Sequence, residues 1–323
     1  MVKAIRIHKT GGPEVLRYED VDLAAPGPGE VQIRQHAIGV NFLDVYFRTG
    51  AYAASCPFTP GNEGAGEVVA VGEGVTKFRP GDRVAYASSI GAYAEARNIE
   101  ARFLVPLPEA ISYETAAAMM LKGLTAEYLL FRTYPVKPDD VILVHAAAGG
   151  VGLILCQWAR ILGATVIGTA GGPEKCALAR DAGAHEAIDY SKEDFALRVR
   201  EITDGKLCHV VYDGVGKTTF PASLDCLRPF GTFVSFGSAS GPIEAFNLGL
   251  LGQKGSLYAT RPTLFTHMAD EARLTEMAAR LMDVVGSGKV KIAVNARYPL
   301  AEAAEAHRAL EGRKTTGATV LLA

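Results

Sequence analysis

Six small residues near the middle of the chain have the types and spacing that bind a dinucleotide. The turn Ala147–Gly152 matches G-x-G-x-x-G with alanine at the first position, and it follows the apolar run Val141–Val144. In such a turn Gly149 lets the backbone approach a pyrophosphate, and Gly152 lets the next helix pack close to the strand. The first N–H groups of that helix then face the phosphates. A plain strand–helix connection is the alternative, but the element lengths favour dinucleotide binding.

The elements around this turn alternate between strands and helices from about residue 125 to 260. A second buried strand is predicted at Thr165–Ile167, and later ones at His209–Tyr212, Thr232–Ser235 and Gly255–Ala259. Strands that alternate with helices form a parallel sheet, so the sequence predicts an α/β fold with a Rossmann-type sheet. The last of these strands is expected at the sheet edge.

The first 110 residues predict a mostly β structure instead. Strand patterns occur at Val2–Ile7, Val31–Ala37, Gly64–Gly72 and Arg83–Tyr86. A helical pattern then begins after Ser112, a suitable N-cap.

The end of the chain predicts an amphipathic helix, Glu271–Val285, and a final strand, Ala318–Leu322. A terminal strand needs a sheet to join, and the N-terminal β region is the nearest candidate. We therefore expect both chain ends in one domain, residues 1–124 and 264–323, with a nucleotide-binding domain, residues 125–263, inserted between them.

Composition narrows the class of protein further. The chain has 323 residues, 49% of them hydrophobic, which suggests about two domains. A net charge of -2 gives no sign of a nucleic-acid or membrane surface, and we expect neither partner. The N-terminus lacks a signal-peptide core, and no apolar run is long enough to span a membrane. Five scattered cysteines without a C-x-x-C pair indicate reduced thiols in a cytosolic protein.

Motifs across nearly the whole chain resemble the medium-chain dehydrogenase/reductase superfamily, and within it the zinc-independent quinone oxidoreductases of the zeta-crystallin type. The resemblance rests on HKTGGPEVL (8–16), NFLDVYFRTGAY (41–52), GNEGAGEV (61–68), VHAAAGGVG (144–152) and SFGSASG (235–241). It implies a GroES-like catalytic domain around the inserted Rossmann domain, NADPH as cofactor, and reduction of quinones.

Many enzymes of this superfamily hold a catalytic zinc, but the resemblance places Asn41, Asn62 and Lys122 at the three protein-ligand positions. Asparagine amides are poor zinc ligands, and a lysine ammonium repels the ion. We therefore expect no metal.

The lack of an acidic residue at the position that usually binds the ribose 2′-hydroxyl favours NADPH over NADH. An NAD enzyme usually has Asp or Glu about 20 residues after the last motif glycine, where this chain has Ala170, Gly171 and Gly172. Lys175 is close enough in sequence to face a 2′-phosphate, although Glu174 would repel it and an exposed lysine needs no such role. The resemblance adds Tyr190 and Arg313 to the phosphate site.

The remaining cofactor candidates come from the Gly-rich turn and from loops that the resemblance places beside the cofactor. The loop Asp213–Thr218 looks like a phosphate-binding loop but lacks its first glycine, so it is better interpreted as a cofactor-bordering loop after a strand. The candidates are Asn41, Thr125, Gly149, Gly150, Val151, Phe236, Gly237 and Ser238.

Asn41, Tyr46 and Tyr52, in one loop-rich segment, are the substrate-lining candidates that the resemblance gives. Their amide and hydroxyl groups could donate hydrogen bonds to the oxygen that gains negative charge. No general acid is essential, since water can supply the proton. Packed core positions for the two tyrosines, and either hydride or one-electron transfer, stay open.

Two other functions stay open: an NADPH-dependent reductase of activated alkenes, and a non-enzymatic, crystallin-like protein that binds NADPH or RNA. The missing basic stripe argues against RNA. The exposed edge strand and the resemblance together predict a homodimer.

Overall fold

The computed structural model describes residues 1–312 and 314–323. The chain divides into two compact units. The first contains residues 1–124, 268–288 and 292–323, and the second contains residues 125–267 and 289–291. Both chain ends therefore belong to the same unit, as the final strand predicts.

The strands are β1 Val2–Ile7, β2 Leu16–Val21, β3 Glu30–Val40, β4 Glu63–Val71, β5 Arg83–Ala87, β6 Ala96–Glu100, β7 Leu104–Pro106, β8 Val141–Val144, β9 Thr165–Ala170, β10 Glu186–Asp189, β11 Cys208–Asp213, β12 Leu227–Ser235, β13 Tyr258–Thr260, β14 Val294–Pro299 and β15 Ala318–Leu322. The α-helices are α1 Phe42–Thr49, α2 Tyr113–Tyr128, α3 Gly150–Ile161, α4 Pro173–Asp181, α5 Phe195–Ile202, α6 Gly249–Gln253, α7 Leu264–Met268, α8 Glu271–Gly286 and α9 Ala303–Glu311. None of the helices in the described chain is both long and apolar enough to cross a membrane.

The first unit is built on a mostly antiparallel sheet in the order β14-β15-β3-β4-β5-β7, with β6 also paired to β3. The terminal strand β15 pairs antiparallel with β3, so it completes the sheet that the N-terminal region begins. Alternate side chains of these strands, Val31, Ile33 and Leu321 among them, form an apolar core. Ser112 accepts a hydrogen bond from the Thr115 amide (3.1 Å), which confirms it as the cap of α2.

The second unit is a six-stranded parallel sheet in the order β10-β9-β8-β11-β12-β13. In chain order this is 3-2-1-4-5-6, the order of a Rossmann fold, which confirms the predicted fold class. Its central strands β8, β9 and β11 are buried on both faces, and Leu143, Ile167 and Val211 lie in one core. The edge strand was predicted at Gly255–Ala259 but begins only at Tyr258, because Gly255 and Ser256 adopt positive φ angles that end a preceding turn.

Candidate active site

The Gly-rich turn has the close packing that its glycines predict. Helix α3 begins at Gly150, directly after the turn that follows β8. A Cβ on Gly152 would lie 2.3 Å from the Ala146 carbonyl oxygen and 2.7 Å from the Ala147 Cα, so only glycine allows this approach. Gly149, Gly150 and Val151 are partly exposed at the helix start. Their position leaves backbone N–H groups able to face a phosphate.

The end of β9 provides the candidate 2′-phosphate site. Tyr190, 47% exposed, lies beside Gly171: its hydroxyl oxygen is 2.8 Å from where a Gly171 Cβ would be. Lys175 lies partly exposed in the first turn of α4, and Glu174 is exposed next to it. Arg313, the third candidate, lies outside the described residues.

A carboxylate does occur at this edge, but it holds a turn. Asp189 Oδ1 accepts hydrogen bonds from the Ser191 hydroxyl (2.6 Å) and from the amides of Gly172 (2.8 Å) and Ser191 (3.1 Å). The Ser191 hydroxyl and the Gly172 amide hold the pKa of Asp189 below its usual value. This oxygen is thus committed to the turn that carries Gly171 and Gly172.

The loop Phe236–Ser238 follows β12 and is anchored from two sides. The Asp213 carbonyl accepts hydrogen bonds from the amides of Phe236 (2.8 Å) and Gly237 (3.3 Å). Arg261 donates to the carbonyl of Gly237 (2.8 Å) and to the hydroxyl of Ser238 (3.2 Å). A single arginine after a short strand has no sequence signal, so its anchoring role was not predicted.

Two of the three positions that hold zinc ligands elsewhere in the superfamily bind Glu63, and the third, Asn62, precedes Glu63 in sequence. The Asn41 amide nitrogen (2.8 Å) and Lys122 Nζ (2.5 Å) both donate to Glu63 Oε1, and the Leu121 amide donates to Oε2 (2.7 Å). Asn62 is fully buried and donates to the Ser88 carbonyl (2.9 Å). Within residues 1–312 and 314–323, no group of three His, Cys, Asp or Glu side chains could hold a metal ion.

This cluster changes the expected role of Asn41. Its amide nitrogen donates to Glu63 and also lies 3.4 Å from the Gly39 carbonyl, so both amide hydrogens are directed into the protein. The expectation that Asn41 donates to the substrate is therefore not supported, because both hydrogens of its side-chain amide are used within the protein. Its position beside a ligand stays a prediction. Thr125, another cofactor candidate, is buried in α2.

The segment that carries Asn41, Tyr46 and Tyr52 was expected to be loop-rich but contains the helix α1. Asn41 caps this helix, and Gly50 ends it with a φ of 84°. The main-chain N–H of Asn41 donates a hydrogen bond to Oδ2 of Asp44 (2.8 Å), three residues later. This spacing resembles a capping box with aspartate in place of glutamate, a signal that the sequence contained.

A buried hydrogen-bonded chain extends from Asp44 to the last helix. Tyr93 donates to Asp44 Oδ2 (2.9 Å) and lies 3.1 Å from His307 Nε2, while Arg48 donates to His307 Nδ1 (3.0 Å). Arg48 also forms two hydrogen bonds with Glu311 (2.7 and 2.8 Å). Because arginine can only donate, His307 must carry its proton on Nε2.

Burial is the main cause of the pKa shifts in this hydrogen-bonded network. It raises the pKa of Asp44 to about 7, against the hydrogen bonds from Asn41 and Tyr93, and raises that of Tyr93 well above its usual value. It lowers the pKa of His307 to about 3, to which the charge of Arg48 adds. Asp44 Oδ1 is buried and has no hydrogen-bond partner in the described part of the chain.

Tyr46 of α1 and Tyr52, three residues after its end, pack against each other. Their ring centroids are 5.2 Å apart, and Phe42 and Phe47 extend the aromatic group. Tyr52 is 40% exposed and lines a hollow of about 440 Å³ beside Thr10 and Ser55, so it is not a core tyrosine. Aromatic rings at an open hollow suit a flat, partly apolar ligand.

Comparisons with known proteins cover both units. The family model "Alcohol dehydrogenase GroES-like domain" matches residues 27–109, and "Zinc-binding dehydrogenase" matches residues 150–295. The second name implies a metal that the Asn41, Asn62 and Lys122 cluster does not fit, since two amides and an ammonium replace anionic or imidazole ligands.

Relatives match the chain over its full length. It is 55% identical to a "Quinone oxidoreductase" of Pseudomonas aeruginosa over 100% of both chains. It is 46% identical to a "2-haloacrylate reductase" of a Burkholderia species, over 100% of this chain and 99% of that one. The solved structure of Escherichia coli quinone oxidoreductase complexed with NADPH has 49% identity and a TM-score of 0.98, covering 99% of this chain and 100% of that one.

Proposed function

Because the chain belongs to the quinone oxidoreductases of the medium-chain dehydrogenase/reductase superfamily, we propose that it reduces quinones with NADPH and without a metal. The observation that carries the choice of cofactor is the edge formed by Gly171, Lys175 and Tyr190, where Asp189 is committed to a turn. A positively charged lysine and a tyrosine next to a glycine suit a 2′-phosphate in charge and in space.

When bound, NADPH supplies the reducing equivalents, and the protein's part is binding and orientation. The start of α3 at Gly149 and Gly150 would bind the pyrophosphate, and Lys175 would bind the 2′-phosphate. The loop Phe236–Ser238 would line the nicotinamide side, held in place by Arg261.

The substrate side would be formed by the start of α1 and its aromatic residues. The hydroxyls of Tyr46 and Tyr52 are the donors we propose for the quinone oxygen that gains negative charge, because the amide hydrogens of Asn41 are used by Glu63 and Gly39. Asn41 would line the site without donating to the substrate. Water would supply the proton.

The test compares two cofactors and three substrate classes. NADPH and NADH are titrated by fluorescence, and the rates on a simple benzoquinone, an enal and a 2-haloacrylate are then measured with NADPH. We expect tighter binding of NADPH and the highest rate on the quinone. Faster turnover of the enal or haloacrylate would instead favour an alkene reductase. The relative that is 46% identical is named as a reductase of this kind. Salt-dependent binding of AU-rich RNA with no turnover would favour the non-enzymatic alternative.

We also propose a homodimer in the cytosol. The homodimer is supported by the edge strand β13, which pairs on one side only among the described strands, because such an edge invites pairing with a second copy. The cytosolic location is supported by the cysteines, because all five are free thiols and four of them are buried.

A further inference from the structure

Four buried polar side chains join the carboxyl ends of three neighbouring strands of the parallel sheet. His145 directly follows β8, Thr169 lies in β9, and Asp213 ends β11, while Ser223 comes from a short helical turn after it. Each is at most 1% exposed. His145 Nδ1 lies 2.9 Å from the Thr169 hydroxyl, and Nε2 lies 3.0 Å from the Ser223 hydroxyl.

The donor and acceptor of each hydrogen bond in this network can be assigned. Ser223 donates either to Asp213 Oδ2 (3.2 Å) or to the Thr219 carbonyl (3.0 Å), and in both cases its hydrogen points away from His145. His145 must therefore donate from Nε2 to Ser223 and accept from Thr169 at Nδ1. Burial lowers the pKa of His145, in keeping with this neutral form.

Asp213 connects this chain to the loops that follow the strands. Its Oδ1 accepts hydrogen bonds from the amides of Val215 (2.7 Å) and Gly216 (3.0 Å), and Oδ2 accepts one from Thr219 (2.7 Å). Its main-chain carbonyl accepts from the amides of Phe236 and Gly237. One carboxylate and its carbonyl thus fix two loops.

The His145 and Thr169 end of this hydrogen-bonded network fixes the Gly-rich turn. His145 is the residue just before it, and the Ala147 amide donates to the main-chain carbonyl of Thr169 (2.9 Å). The turn 146–151, the loop 213–219 and the loop 236–238 are therefore connected through one buried hydrogen-bonded chain. Apolar side chains would fill this space without fixing direction, whereas a fully satisfied polar chain allows one arrangement of its loops.

We propose that Ser223, with His145 and Asp213, is a positioning residue that sets the geometry of the cofactor loops and so the affinity for the nicotinamide half of NADPH. The inference rests on the proposed cofactor role of those loops. Lys175 and Tyr190 follow β9 and β10, on the far side of β8 from β11 and Ser223, so replacing Ser223 should weaken binding of the adenosine 2′-phosphate half much less than binding of the whole cofactor.

The two halves can be separated with a fragment. Adenosine 2′,5′-bisphosphate carries the 2′-phosphate but no nicotinamide. In Ser223→Ala we expect the NADPH dissociation constant to rise about tenfold, as for an unsatisfied buried group, while that of the fragment rises much less. Lys175→Ala should weaken both ligands alike.

A matched control removes a hydroxyl of similar geometry elsewhere in the same unit. Thr203→Ala removes a hydrogen bond to the Val199 carbonyl (2.7 Å) at the end of α5 and should lower melting temperature without changing either affinity. If Ser223→Ala does not fold, Thr219→Val removes another hydroxyl that donates to Asp213 Oδ2 (2.7 Å), with a side chain of nearly equal shape.

The possible outcomes are distinct. Equal loss of NADPH and fragment binding, or a lower melting temperature with both affinities intact, would show that the chain only stabilises the core. Wild-type protein that binds neither ligand would overturn the proposed function itself. Tight wild-type binding that Ser223→Ala leaves unchanged would overturn the positioning role alone.

Discussion

At the scale of single residues, cofactor choice depends on Lys175. Lys175→Ala should raise the NADPH dissociation constant about tenfold or more, the effect of losing a charge-assisted contact of roughly 1.5–3 kcal/mol. Binding of NADH, which lacks the 2′-phosphate, should change little. Fluorescence titration of both cofactors measures this, with Lys206→Ala as a control for the loss of one surface charge. Equal loss for both cofactors would show that Lys175 does not contact the phosphate.

A second residue-scale prediction concerns metal. Asn41 and Lys122 both donate to Glu63 Oε1, so the carboxylate oxygen at this position already has two donors. Purified protein should carry no stoichiometric zinc, and a chelator should leave quinone reduction unchanged. Elemental analysis showing one zinc per chain would overturn this.

The buried chain at Asp44 predicts an unusual dependence of stability on pH. The pKa of Asp44 is raised to about 7, so its contribution is present at low pH and is lost as pH rises through 7. The pKa of His307 is lowered to about 3, so its contribution is present above its ordinary value of 6.5 and is lost as pH falls through 3. The two slopes oppose each other between about pH 4 and 6.5.

Asp44→Asn removes only the first of these slopes. Its free energy of unfolding relative to the wild type should therefore rise as pH increases from 4 to 8, which urea unfolding at several pH values can measure. Asp22→Asn, which removes an exposed carboxylate from the same unit, controls for the change in charge. A pH-independent difference for Asp44→Asn would contradict the raised pKa.

At the scale of elements, the sequence predicted what local pattern encodes. The Gly-rich turn, β8, α3 and the cap at Ser112 follow from spacing and residue type within about ten residues. Helix α1 was missed although Asn41, Asp44 and Gly50 mark its ends, because the aromatic residues between them were interpreted as site-lining loop positions. The contacts of Glu63 with Lys122 and of Tyr93 with His307 join residues 59 and 214 positions apart, and no local pattern contains them.

Helix α1 also carries the test of the substrate site. Tyr46 and Tyr52 are not fully buried, so their replacement should cost little stability. We expect Tyr46→Phe and Tyr52→Phe to lower kcat/KM for a quinone about tenfold, through loss of a hydrogen bond to a charged oxygen, with NADPH affinity unchanged. Alanine at either position should lower it further by removing the ring.

Tyr18→Ala is the matched control, because Tyr18 is a 42%-exposed tyrosine of the same unit on a different strand. Steady-state kinetics, NADPH titration and melting temperature are measured on all variants. Normal quinone kinetics in both alanine variants would remove the two tyrosines from the site.

At the scale of the whole molecule, the terminal strand was the most informative prediction. A strand-forming tail without a partner nearby in sequence required a long-range sheet, and β15 pairs with β3 as expected. Its second neighbour, β14, was not predicted, because Asn295, Arg297 and Pro299 interrupt the strand pattern of Val294–Pro299. The order of the parallel sheet follows from the Rossmann fold rather than from any property of one strand.

The last prediction concerns assembly, and it depends on β13, one of the two edge strands of the parallel sheet. This strand pairs with β12 on one side, and Tyr258 on it is 62% exposed. Two copies that meet at this edge would form an isologous interface, in which the same residues face each other across a two-fold axis. Light scattering at micromolar concentration should therefore give twice the monomer mass. Tyr258→Lys places a charge on the edge, where two copies would repel, and should shift the mass toward the monomer. Leu197→Lys adds the same charge at a 61%-exposed apolar position on α5 and should leave the dimer intact. A wild-type protein of monomer mass would contradict the dimer, and a dimer unaffected by Tyr258→Lys would place the interface elsewhere.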